Sequence, residues 1–124
     1  MTARTAMGEV YADVTIAGPA GRKRLRLLVD TGSTYTWIRG SLLRKLGIRT
    51  LDTYSFGTIE KRRDLRRRIG EAMMEYRGDG RSTVVVFGRQ GDDEVMGLHA
   101  LEGLALEVDP VNRRLRKRRR LLAL

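Results

Sequence analysis

Leu27-Leu28-Val29-Asp30-Thr31-Gly32-Ser33-Thr34 is the stretch on which the fold turns. Three apolar residues run directly into a carboxylate, which is followed by a hydroxyl, a glycine and two more hydroxyls. An ionisable group at the buried end of a strand is costly unless hydrogen bonds satisfy it. Thr31, Ser33 and Thr34 can supply donors, and Gly32 lets backbone approach the carboxylate closely. Taken alone, the same residues also read as an Asp-Gly turn joining two strands. The surrounding sequence bears on which reading holds.

Upstream, residues 8–16 (GEVYADVTI) alternate apolar Val10, Ala12, Val14 and Ile16 with polar neighbours, the period of a half-buried strand. Gly18-Pro19-Ala20-Gly21 is turn chemistry, and residues 22–29 begin alternating and end wholly apolar, so the two segments predict a hairpin entering the core. Downstream, residues 34–38 read as a strand and residues 41–46 (SLLRKL) as a short helix capped by Ser41 and closed by Gly47. Residues 50–59 and 66–76 lean towards strand with a basic segment between them, a second and longer hairpin. Gly78-Asp79-Gly80 is a turn, and residues 82–87 (STVVVF) are a buried strand. Gly91-Asp92-Asp93 is another turn, with Asp92, Asp93 and Glu94 read as solvated. Val95-Met96-Gly97 ends a short strand, residues 99–103 suggest about one helical turn, and residues 104–109 alternate until Pro110 stops them. Many short strands between turn signals predict an all-β, closed-barrel-like domain with one short helix.

With 124 residues there is room for one domain. The absence of cysteine excludes disulfides, thiolate metal sites and thiol nucleophiles. A single histidine, His99, cannot build a zinc cluster and reads as a structural residue, leaving only carboxylate sites for a hard cation. Trp37 and Ile38 read as packing residues. No apolar run is as long as a membrane span and the first ten residues lack a signal-peptide apolar region, so the expectation is a soluble, cytoplasmic protein. The net charge of +10 is unevenly placed. Residues 61–68 (KRRDLRRR) carry +5 and residues 113–120 (RRLRKRRR) carry +7, together +12, so the remainder is at −2. Residues 1–112 are therefore taken as the domain and 113–124 as a basic C-terminal extension. That extension reads as a charged edge strand, an arm for RNA or anionic lipid, or a segment completing a dimer, the last being favoured.

Leu27–Ser33 resembles the active-site motif of the aspartic proteases, two apolar residues followed by Asp-Thr/Ser-Gly-Ser/Ala. About 65 residues later, Val95-Met96-Gly97 before a short helix resembles the second signature of that family. Order and spacing from about Gly8 to Asp109 are similar to the half-length, retropepsin-like branch. The resemblance implies a homodimer in which Asp30 of each copy forms a catalytic pair that activates water, with no metal and no organic cofactor. It further implies that Thr31 hydrogen-bonds across the dimer, Gly32 meets the substrate backbone and Ser33 supports the outer carboxylate oxygen. The hairpin carrying Thr58, Ile59, Glu60, Lys61 and Arg62 takes the place of the flap over a peptide or protein substrate. Two departures stand out: the flap lacks the retroviral glycine-rich tip, Gly57 being the nearest glycine, and Gly97-Leu98-His99 replaces Gly-Arg-Asp/Asn. Apolar residues flanking the cut are implied, and the arginines add an expected preference for acidic side chains. The alternative is an inactive dimer of the same fold that binds nucleic acid or an acidic protein partner through its arginines.

Overall fold

The alternation at the start of the chain sets its first strand. A computed structural model describes residues 9–58 and 64–123. In it β1 (Tyr11–Gly18) buries Ala12, Val14 and Ile16 and turns Tyr11 and Asp13 outward. Pro19-Ala20 reverses the chain into β2 (Gly21–Val29), with Gly18 opposite Gly21. β2 starts exposed at Arg22, Lys23 and Arg24 and ends with Leu27, Leu28 and Val29 all buried. β3 (Thr36–Arg39) runs straight into α1 (Gly40–Lys45). β4 (Asp52–Gly57) and β5 (Asp64–Tyr76) form the longer hairpin. Of its expected flap, Thr58 is described, whereas Ile59, Glu60, Lys61 and Arg62 lie outside the described residues. Next come β6 (Asp79–Gly88), the two-residue β7 (Val95–Met96), α2 (Leu98–Gly103), β8 (Leu106–Asp109) and β9 (Arg114–Lys117).

Seven strands lie in the order β1-β2-β7-β3-β6-β5-β4, and β1 also pairs with β5 through Ile16 opposite Met74. That extra pairing closes six strands on themselves and leaves β4 as an outer edge, the all-β, barrel-like architecture expected. Ile16, Ile38, Leu43, Met74, Val85 and Met96 meet in its core. The end of β2 is apolar throughout because it lies inside the sheet, between β1 and β7. β8 and β9 form a separate antiparallel ribbon in which Leu115 joins the core, so residues 114–117 form a charged strand paired within the chain. Among the described residues, no helix is long and apolar enough to cross a membrane.

Three local expectations need correction. Among the described residues there are two short helices rather than one: the helical turn expected at residues 99–103 is α2, whose first backbone donors find acceptors outside it, Leu98 N–H donating to the Ser33 carbonyl at 2.8 Å and His99 N–H to that of Thr34 at 2.9 Å. Ser41 is not the cap of α1. The helix begins one residue earlier after Arg39, whose N–H donates to the Glu94 carboxylate at 2.8 Å. The turn expected at residues 78–80 sits at Arg77-Gly78, both at positive φ, as a two-residue hairpin requires. Gly47 does close α1. At φ 80° its N–H donates to Arg44 and the next N–H, of Ile48, reaches back to Leu43, satisfying the last carbonyls.

Candidate active site

β7 places the two motifs side by side. It runs parallel to β2, with Leu28 opposite Val95 and Val29 opposite Met96, and antiparallel to β3, with Trp37 also opposite Val95. The strand entering the Asp30 loop and the strand leaving it are thus held apart by two residues that arrive about 65 positions later. Val95, Met96 and Gly97 are all buried.

Asp30 sits at the end of β2 and is 2% exposed. Its N–H donates to the Met96 carbonyl oxygen at 2.9 Å, which binds the loop to β7. Its carbonyl accepts the Ser33 N–H at 3.1 Å, closing a tight turn, and its Oδ1 accepts the Gly32 N–H at 3.0 Å. A backbone donor aimed at a carboxylate oxygen fixes the orientation of the group. Thr31 and Gly32 are exposed and Ser33 is half-buried. The Ser33 hydroxyl donates to the carbonyl of Tyr35 at 2.7 Å, and the Gly32 amide supports the Asp30 carboxylate.

Gly97 is where the loop and β7 come closest. A Cβ on it would collide with the Tyr35 carbonyl and lie 2.9 Å from that of Ser33, so the position admits only glycine. Its N–H donates to Oγ1 of Thr36, a fully buried hydroxyl, at 3.1 Å. With the bonds from Leu98 and His99 to the same loop, residues 97–99 supply three successive backbone donors that hold Ser33, Thr34 and Thr36.

Three features were not legible in the sequence. Thr36 gave no signal, being one hydroxyl among several. Tyr35, Tyr54, Phe56, Trp37 and His99 form a run of aromatic contacts between the Asp30 loop and β4, with centroid separations from 5.1 to 6.5 Å along it. Asp92 and Glu94, taken as solvated, are partnered. Asp92 accepts both Nε and Nη2 of Arg67 at 2.8 and 3.1 Å, and Glu94 binds Arg39. Burial pushes the Asp92 carboxyl up, but the Arg67 guanidinium and the Arg89 amide outweigh it and hold it below the ordinary carboxylate value. His99 packs edge-on against Tyr35 at 5.7 Å.

Among the described residues, no three histidine, aspartate or glutamate side chains gather as a metal site requires. A cleft of about 580 Å³ lined by Asp13, Arg24, Glu75, Arg77 and Arg114 shares no residue with the Asp30 loop.

No curated protein matches this chain in sequence. A family model described as aspartyl protease matches residues 12–73, which is 62 of the 124 residues and runs from β1 through the Asp30 loop into β5. The second motif lies beyond that match, and the sheet brings it to the same loop independently. The chain belongs to the aspartyl protease family, of retropepsin-like type.

Proposed function

We propose that two copies of this chain form an aspartic endopeptidase, each contributing its Asp30 to one shared site. The observation that carries it is a buried carboxylate, held by backbone, at a loop whose next two residues are exposed. The sequence has one Asp-Thr-Gly and no Asp-Ser-Gly, so a second copy is the simplest source of the opposing carboxylate. A two-fold axis through the loop sets Asp30 against Asp30 of the second copy.

Two carboxylates that close share one proton, because both cannot ionise comfortably. The ionised one takes a proton from a water molecule as that water's oxygen bonds to the peptide carbon. The protonated one donates to the carbonyl oxygen, whose negative charge is developing. As the carbon–nitrogen bond breaks, a proton passes to the departing amine and the pair returns to its starting state. Gly32 N–H keeps one oxygen of each carboxylate oriented through these exchanges. The hairpin over the site would exclude bulk water, which strengthens each of these interactions.

Tyr35, Tyr54 and Phe56 present partly exposed rings beside the loop, which suits extended peptides with apolar side chains around the cut. Lys61, Arg62 and Arg63 add an expected preference for acidic residues. Neutralising all three should flatten that preference, and unchanged selectivity removes it. The whole reading is tested by digesting a diverse peptide pool from acid to neutral pH with wild type and Asp30→Asn. Loss of cleavage by at least about 10²–10⁴-fold in the variant, with its circular dichroism unchanged, is the expected result. Equal cleavage by both proteins overturns the proposal.

A further inference from the structure

Most arginines of this chain are exposed, but Arg67 is not. Its side chain is 11% accessible and that of Asp92 15%. Two Arg67 nitrogens donate to the two Asp92 carboxylate oxygens, and the third, Nη1, donates to the Arg66 carbonyl at 2.8 Å. Asp92 also accepts the Arg89 N–H at 2.7 Å. The guanidinium lies 5.9 Å from the centre of the Trp37 ring, and that ring meets Phe56 of β4 edge-on at 5.1 Å.

A pair so withdrawn from water adds little net stability over apolar side chains of the same size. What a two-pronged fork adds is a fixed relative orientation of the segments that carry it. Here those segments matter. Arg67 stands on β5 opposite Tyr54 of β4, in the hairpin that leads to the expected flap. Asp92 lies in the connection from β6 to β7, four residues before Met96, whose carbonyl oxygen holds the Asp30 amide. Glu94 in the same connection is tied to the start of α1 through Arg39.

We infer that Arg67 and Asp92 are positioning residues, whose fork sets the seat of the β4–β5 hairpin relative to the Asp30 loop and so aligns a peptide against the carboxylates. The catalytic half of this rests on the endopeptidase reading above; the seat itself does not. Arg67→Lys keeps the charge but replaces the fork by a single point, and Asp92→Asn removes the charge while keeping the shape.

The test compares amide hydrogen exchange and peptide cleavage in full-length wild type and both variants. Exchange over residues 52–57 should accelerate about tenfold in each variant, while residues 114–117 of the β8–β9 ribbon remain unchanged. In parallel, kcat/KM should fall about tenfold with the shape of the pH profile preserved, as for a misaligned substrate. Unchanged exchange at residues 52–57 overturns the seat. Equal acceleration at residues 114–117 overturns it too, because that marks a general loss of stability. Faster exchange with unaltered kcat/KM overturns the positioning role. If wild type cuts no peptide, the endopeptidase reading and this positioning role both fall, and exchange alone still decides the seat. Should Asp92→Asn fail to fold, Arg67→Lys carries the comparison.

Discussion

At Gly97 the approach of two segments depends on the absence of a single carbon. Its would-be Cβ meets backbone oxygen and carbon of Tyr35, which cannot swing aside as a flexible side chain could. Gly97→Ala should therefore cost at least about 1–3 kcal/mol, the usual range for overpacking, and loosen the loop that holds Asp30. Urea unfolding measures this, and a variant as stable as wild type would show that the loop and β7 are not in contact. The sequence made Asp30, Gly32 and Gly97 legible because each belongs to a short motif with its own chemistry. Thr36 and Asp92 were not legible, since their partners stand 61 and 25 residues away along the chain. Asp92 in particular follows Gly91 in a turn, where a carboxylate ordinarily faces water. What withdraws it is Arg67, and nothing near Asp92 in the sequence announces that.

Elements with a local cause were read well, while of those with a distant cause β7 was read as a short strand end and the start of α1 was missed. The alternation in β1 and the glycine that ends α1 are decided within a few residues, and the structure has both. The start of α1 was misplaced because the chain enters the helix directly from β3 at Arg39, whose N–H is held by Glu94 from 55 residues away, and no side chain caps the first turn. β7, only two residues long, is strand because β2 and β3 leave a slot of that width between them. β9 is the element on which charge misleads most. Among seven basic residues in eight, the one apolar residue, Leu115, is 4% exposed and packs into the core. Arg116 pairs with Glu107 at 2.7 Å and Lys117 with Asp79 at 2.6 Å, so part of this basic run is matched to acids of β8 and β6. Leu115→Ala should destabilise the fold by about 2–4 kcal/mol, as other buried leucines do. A loss below about 0.5 kcal/mol, within the range of surface substitutions, would place residues 114–117 off the body of the protein.

Across the whole molecule, two ion-paired aspartates, Asp92 and Asp79, join segments far apart in sequence, and a third, Asp109, caps the turn between β8 and β9. Burial raises Asp92, but Arg67 prevails and its carboxyl lies below the ordinary value; the Lys117 ammonium lowers Asp79, and the Asn112 side chain and amide lower Asp109. Each folded value lies below the unfolded one, so each carboxylate stabilises the fold above about pH 4 and loses that contribution as the pH falls through its folded value. Urea midpoints followed by the single tryptophan, Trp37, should be level from neutral pH to about 5 and then drop. A midpoint that stays level to about pH 2 would mean these contacts contribute nothing in solution. In the proposed enzyme one site is built from two chains. The measurement that tests it most directly is the peptidase rate of wild type and Asp30→Asn, unfolded together, refolded in varied ratio and assayed at fixed total protein. If each site needs Asp30 from both copies, the rate follows the square of the wild-type fraction, so an equal mixture retains about a quarter of the wild-type rate. A rate that falls in direct proportion, to about a half in the equal mixture, would mean that each chain cuts alone and would contradict the shared site.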